Sequence, residues 1–442
     1  MRHSVKTLAA AIALASLPLG LSAAPYSQLI IFGDSLSDSG QFPDTGSPTL
    51  MGFPTGGTRF TNRTGPTYLG NNTEYYGQVS TQRLASLLGL QALPSTPVLP
   101  ATLTGNMPGT NYAVGGYRTD QIRDSITTTS VTVPPPGNTP PLATRAGYLA
   151  EFGRADRNAL YYINGGGNNV IQGLMVDFAT ASASASELVA GVAALQQAGA
   201  RYIVVSDLPD VGNTPLGLLT GQRANMSAIT GVFNQELDRQ LAELGGNILR
   251  LNFNALLGEV YADLESFGFD ASLNQINTCF DNGTGGSSGC GPLADSTWAI
   301  NGATPNPDRL IFNDGVHPTT AVHRISGDYL YSVLSAPAQI SLLSEMGLAS
   351  LTGHQQHLRD RSQAQRGSWQ ASGNWNLFVA GGGARSDFKS DQVVPSSDSK
   401  GIQLTVAAAI GLTTTGAWDW PLACSGRSST PTASRVTNWT AR

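Results

Sequence analysis

The chain has 442 residues and a formal net charge of −5, and only 12% of it is charged, against a usual share of about 25%. It carries no Lys/Arg cluster, which excludes nucleic acid as a partner, because phosphate contacts require a basic patch. Low charge and 51 glycines suit an exported protein that handles apolar or neutral substrates.

The first residues, MRHSVKTLAAAIALASLPLGLSAAP, combine a basic start, an apolar run and small residues, the signature of a secretory signal peptide. Residues 1–23 are therefore expected to be removed, with cleavage after Ala23. Export implies a compartment in which disulfides persist. Cys279 and Cys290 enclose a short loop and form the natural pair, which leaves Cys424 as the odd cysteine.

Beyond the signal, apolar runs alternate with stretches of helical period. LIIF (29–32), ALYYI (159–163), RYIVV (201–205) and NILRL (247–251) read as strands, and helices are expected near 184–197 and 226–244, the first ended by Gly199. Strands separated by helices predict an α/β fold with a parallel sheet covered on both faces. Ser35 follows the first strand directly, which puts it at the carboxyl end of the sheet, where open α/β sheets hold their ligands. The stretches 41–75 and 120–145 are rich in Gly, Pro, Thr and Asn and lack clear periodicity. They read as long loops over the same face, serving either substrate access or surface decoration.

Four blocks carry the chemistry. FGDSLSDSG holds Ser35, GTNYAVGG spans 109–116, YYINGGGNN spans 161–169, and IFNDGVHPTT holds Asp314 and His317. A serine hydroxyl becomes a useful nucleophile when a histidine takes its proton and a carboxylate fixes the imidazole tautomer. The Asp-x-x-His spacing lets one turn present a carboxylate to Nδ1 while Nε2 faces a serine from elsewhere. Taken singly, each block has a bland reading: Ser35 as a helix N-cap, the glycines as a tight turn and Asn168 as an Asx-turn. Asp38, three residues past the serine, is assigned to structure.

Two rivals are set aside on context. GGSSG at 285–289 matches the G-x-S-x-G nucleophile elbow, but Ser287 lies in a Gly/Ser-rich loop with neither the strand before nor the helix after that an elbow needs. Among the five histidines, His3 leaves with the signal, and His323 has no carboxylate three residues before it and reads as a helix-surface or packing residue. His354 and His357 lie one helical turn apart without an accompanying ligand cluster, so no metal is expected.

In their order, the four blocks resemble the GDSL (SGNH) family of serine esterases and lipases, from about Tyr26 to about Leu334. The resemblance implies a three-layer α/β/α, flavodoxin-like domain. It implies Ser35 as nucleophile, Asp314 and His317 as the rest of a triad, and Gly116 and Asn168, with the Ser35 amide, as the oxyanion hole. No metal or organic cofactor is implied, and the substrate would be an ester or lipid, with fatty acyl esters favoured. Two departures stand out. Asn169 occupies a position where the family usually has Asp, so a supporting carboxylate becomes an amide, and Tyr117 stands where a small residue is commoner, which would narrow the pocket mouth.

From about Ala336 the character changes. AQISLLSEMGLASLTGHQQHLRDRSQ has helical period, and in GIQLTVAAAIGLT the residues Ile402, Leu404, Val406, Ala408, Ile410 and Leu412 share one face. Strict alternation over about eleven residues matches a transmembrane β-strand or an ordinary half-buried strand, and a helix followed by such strands after a GDSL domain looks like the start of an autotransporter barrel. The expected organisation is an esterase domain at 24–335, a helical linker at 336–368, an incomplete barrel segment at 369–420 and an irregular tail at 421–442, out of register with an ancestral barrel. The predicted function is an exported or outer-membrane-associated serine ester hydrolase working through an acyl-enzyme. Acyl transfer, phospholipase or carbohydrate acetylesterase activity on the same site, or a non-catalytic adhesive passenger, are the alternatives.

Overall fold

The computed structural model describes residues 26–39, 41, 49–50, 53–54, 78–96, 109–133, 143–280, 296–299, 302–365, 375–388, 397–411 and 417–431. The expected signal segment, Ser287 and Cys290 lie outside the described residues. The chain divides into two units, Tyr26–Tyr331 and the residues from Ser332 onward.

The first unit is built on four parallel strands, β1 (Leu29–Phe32), β2 (Leu160–Ile163), β3 (Tyr202–Ser206) and β4 (Ile248–Leu251), neighbours in that order. β1 and β2 are buried along their whole length, which explains their unbroken apolar runs: a strand covered on both faces has no polar side to alternate with. β4 turns Arg250 to solvent, as an edge strand can. On its other side β1 accepts a fifth, irregular segment. Ile31 N–H donates to Thr110 O, Tyr112 N–H to Ile31 O and Val114 N–H to Gly33 O. The chain thus leaves β1 to one side at 110–114 and returns on the other side at β2. That reversal opens a crevice at the carboxyl end of β1.

Helices α1 (Ser80–Leu88), α2 (Thr119–Thr127), α3 (Gly167–Ile171), α4 (Phe178–Gln197), α5 (Arg223–Leu244) and α6 (Phe253–Ala262) accompany the sheet. α2, α4 and α5 pack side by side, and their Ile122, Leu188, Val192, Phe233 and Leu237 join Ile30, Phe32, Tyr161 and Val205 in one core. α4 is long and apolar enough to cross a membrane by composition, yet Ala181, Ala185, Leu188, Val192 and Leu195 are spent on this core. It begins at Phe178, six residues before the expected start, because Asp177 caps it by accepting Thr180 N–H at 2.9 Å.

The stretch 120–145 is not a plain loop. It carries α2 and a two-stranded ribbon, Val131–Val133 with Ala143–Arg145. Only Ile122 and Ile126 mark the apolar stripe of α2, too few for periodicity to register in sequence. Tertiary contact supplies what local pattern lacks: Thr119 N–H at the helix start donates to Asn169 Oδ1 at 3.0 Å. Of the stretch 41–75, the described residues include a small ribbon, Thr49–Leu50 with Phe53–Pro54. Cys279 is fully buried and disulfide-bonded.

Helix α7 (Thr320–Gln365) starts sixteen residues before the expected linker, at 320 against 336. The second unit contains a three-stranded antiparallel sheet, β5 (Trp375–Phe388), β6 (Ser397–Gly411) and β7 (Ala417–Pro431), with β6 in the middle. β7 runs past Trp420, so 421–431, expected to be irregular, is extended and paired with β6, with Cys424 opposite Leu404. Backbone pairing to a neighbouring strand requires neither side-chain alternation nor an apolar composition, and this stretch, rich in Ser and Thr, pairs through its main chain. On β5 the alternate residues Trp375, Leu377 and Val379 are exposed at 74%, 72% and 60%.

A half-buried carboxylate gives the stability of the first unit a pH dependence that can be tested. Asp207 follows β3, its carboxylate accepts Asn254 N–H at 3.1 Å at the start of α6, and burial pushes it up to about 6. Its unfolded value is about 3.9, so the folded state holds the proton more tightly. The stabilisation that comes from binding it is full below about 3.9 and is lost as pH rises through about 6. Asn at this position keeps an acceptor for Asn254 and does not ionise. Denaturant unfolding of wild type and Asp207→Asn from pH 4 to 7 is expected to show wild type losing stability relative to the variant as pH rises; a difference that stays constant with pH would contradict this.

Candidate active site

The turn after β1 is built by close approach. A Cβ on Gly33 would lie 2.0 Å from Asn164 Oδ1, so only glycine lets β1 pass this side chain. Asp34 Oδ1 accepts Leu36 N–H at 3.1 Å and Asn164 Nδ2–H at 2.7 Å, and Ser37 Oγ–H donates to Asn164 Oδ1 at 2.6 Å. All three side chains are buried. A single asparagine at the end of β2 therefore holds the turn that presents Ser35. Sequence reasoning passed over Asn164; its place directly after the second apolar run, in the YYINGGGNN block, was the available signal.

Asp314 and His317 come from a tight hairpin before α7. Asn313 N–H donates to His317 O at 2.8 Å, and Thr319 N–H to Ile311 O at 2.8 Å. Inside it, Asp314 Oδ1 accepts the N–H groups of Val316 and His317 at 2.9 and 2.8 Å, while Oδ2 lies 2.8 Å from His317 Nδ1. His317 Nε2 lies 2.8 Å from Ser35 Oγ. Asp314 is completely buried, and Ser35 and His317 are 8% and 9% exposed. The three residues named from sequence are thus joined in one hydrogen-bonded chain, with the serine end reachable from solvent. Such a chain can pass the hydroxyl proton to the imidazole while the carboxylate holds Nδ1–H and stabilises the imidazolium that results.

Gly116 sits in a turn closed by Tyr117 N–H donating to Val114 O at 3.2 Å, with a positive φ of +84° that glycine adopts without steric cost. Among the described residues neither its N–H nor that of Ser35 has an acceptor. Asn168, half-buried on α3, spends one Nδ2–H on Tyr117 O at 3.0 Å, which leaves the second free. These are donors of the kind an oxyanion needs. The two sequence departures have structural explanations. Tyr117 does not narrow the mouth: it is 1% exposed and its hydroxyl donates to Thr132 O at 2.6 Å. Asn169 faces α2, accepting from Thr119 N–H and donating Nδ2–H to Thr119 Oγ1 and Ser184 Oγ, where its amide serves as donor and acceptor at once.

Ser35, Asn168 and His317 line a cleft of about 1020 Å³, including its open mouth. Its walls are largely apolar, with Leu208, Val211, Phe253, Leu257, Ile311 and Val316 among them. His323 also lines it, and its Nδ1 accepts Ser80 N–H at 3.3 Å at the start of α1. Among the described residues no group of three His, Cys, Asp or Glu is placed to hold a metal ion.

The chain is 45% identical over 420 residues to Esterase EstA of Pseudomonas aeruginosa and to Esterase EstA of Pseudomonas putida, covering 92% of this chain and 62% of each relative. It is 27% identical over 422 residues to Lipase 1 of Photorhabdus luminescens, covering 77% of this chain and 56% of that protein. The chain thus spans less than two thirds of the length of these relatives. Residues 29–330 match the family described as GDSL-like Lipase/Acylhydrolase, and that stretch contains the whole hydrogen-bonded chain from Ser35 to Asp314: the protein belongs to the GDSL-like lipase/acylhydrolase family.

Proposed function

We propose that the protein is a carboxylic ester hydrolase working through an acyl-enzyme, and the observation that carries this is the Asp314–His317–Ser35 chain, at 2.8 Å per link, on an apolar cleft. Ser35 Oγ attacks the ester carbonyl carbon as His317 Nε2 takes its proton. The carbonyl π electrons move to oxygen, and the resulting oxyanion is received by the N–H groups of Ser35 and Gly116 and the Asn168 amide. Collapse of the tetrahedral species expels the alcohol, which takes the proton from His317. Water then repeats the sequence on the acyl-enzyme and releases the acid. The apolar walls favour an aliphatic acyl group. The relatives named as esterases and a lipase support the same reading.

The basic-then-apolar start supports export. The antiparallel strands β5–β7, with the alternate residues Trp375, Leu377 and Val379 of β5 exposed and the alternation of Ile402 to Ile410 along β6, support attachment to an outer membrane through an autotransporter-type barrel.

Hydrolysis of a chromogenic short-chain ester by the full chain tests the central claim. Ser35→Ala and His317→Ala are each expected to remove nearly all turnover with folding intact, and the double variant to be scarcely worse than either single one, because triad members act as a unit. Additive losses would mean that the two residues serve separate steps, and persistent hydrolysis without Ser35 would end the proposal.

Asn168→Ala is expected to lower kcat by about 100- to 1,000-fold, the usual effect of removing one oxyanion donor. Steady-state kinetics distinguish this from substrate binding: a change confined to KM would place Asn168 on the ground state instead.

A further inference from the structure

Asp38 lies one turn beyond Ser35 and is completely buried, yet it has no part in the proton path. Its carboxylate bridges two loops. Oδ1 accepts Gln41 N–H at 2.7 Å and Oδ2 accepts Gly115 N–H at 2.7 Å. Neighbouring side chains tighten the same seam: Gln41 Nε2 donates to Asn111 O and Ala113 O at 2.6 and 2.9 Å, and Asn111 Nδ2 donates to Ser37 O at 2.7 Å. The residues just after the serine are thereby fastened to the segment that ends in Gly115 and Gly116.

The position of the Gly115 anchor matters. Val114 to Tyr117 is a turn with Gly115 and Gly116 at its centre and positive φ at Gly116, the pattern of a type II turn. The turn's own hydrogen bond uses Tyr117 N–H and leaves the central amide, Gly116 N–H, uncommitted. Holding Gly115 N–H on a buried carboxylate oxygen fixes the peptide plane that enters the turn, and with it the frame in which Gly116 N–H points. We propose that Asp38 is a positioning residue for the oxyanion donor Gly116: it holds the turn in the orientation that aims Gly116 N–H at the reacting carbonyl, and it ties that aim to the turn carrying Ser35. The inference rests on the ester-hydrolase reading.

Asp38→Asn tests it. An amide oxygen can keep one of the two N–H donors, while the amide nitrogen, itself a donor, must face the other. Two quantities are read on the full chain, with active sites counted by stoichiometric labelling with a fluorophosphonate. The first is kcat and KM on a soluble short-chain ester. The second is Ki for an aliphatic trifluoromethyl ketone, whose carbonyl carbon bonds to Ser35 Oγ to give a hemiketal oxyanion as the hydroxyl proton passes to His317. Misdirecting a donor should cost less than deleting one, so we expect kcat to fall by about 10- to 100-fold, Ki to rise in parallel and KM to stay within about threefold. Asp38→Ser, which shortens the side chain and leaves room for a water, is expected to show the same pattern and serves if the amide variant does not fold. A protein that melts earlier but keeps kcat per active site and Ki would show that Asp38 is a structural tie alone, and would overturn the inference. Failure of the hydrolase reading is distinguishable, since it would appear as hydrolysis that survives Ser35→Ala in the wild-type background.

Discussion

The site depends on a carboxylate taken wholly out of water. An isolated buried carboxylate is costly, and Asp314 is made tolerable by the N–H groups of Val316 and His317 and by the imidazole Nδ1. The two backbone donors belong to the hairpin that carries His317, so one side chain both shapes the loop and orients the ring. With Nδ1 engaged there, Nε2 is the nitrogen left for Ser35. The Asp-x-x-His spacing follows from this double duty: a shorter or longer interval would not let the same oxygen cap the turn while its partner oxygen meets the ring.

The rest of the domain brings that hairpin and the serine turn to one place. β1 lies between the 110–114 segment and β2, so the chain from its carboxyl end emerges at a reversal of strand order, where open α/β sheets hold their ligands. Asn164 at the end of β2 and Asp38 beyond the serine then secure the turn from opposite sides, one through Asp34 and Ser37, the other through Gly115. Buried polar networks of this kind are worthwhile when fully satisfied, and they rigidify the groups whose geometry the chemistry requires.

Much of this was legible in the sequence, for identifiable reasons. The buried strands advertise themselves as short apolar runs: LIIF at 29–32 coincides with β1, and the other three runs fall within a residue of β2, β3 and β4. Ser35, Asp314 and His317 stand out in the sequence because the chemistry proposed for them demands particular residue types, and the structure brings them within hydrogen-bonding distance. What escaped notice depends on long-range contact. Asn164 reaches Ser37 across 127 residues, and α2 is capped from Asn169, 50 residues away; neither contact can be read from the segment that holds one partner alone. Tyr117 misled because a large residue beside a double glycine gives no hint that its ring turns into the core.

The partners Ser35 and His317 stand 282 residues apart in the chain, and this has a kinetic meaning. Contacts of such separation carry a large loop-closure entropy and form late relative to local structure. Until that loop closes, Ser35 is an ordinary alcohol with no base beside it. On the proposed mechanism, reactivity toward an acyl donor therefore reports closure of this contact, and the rate at which it returns after dilution from denaturant measures that long-range step rather than formation of any one local element.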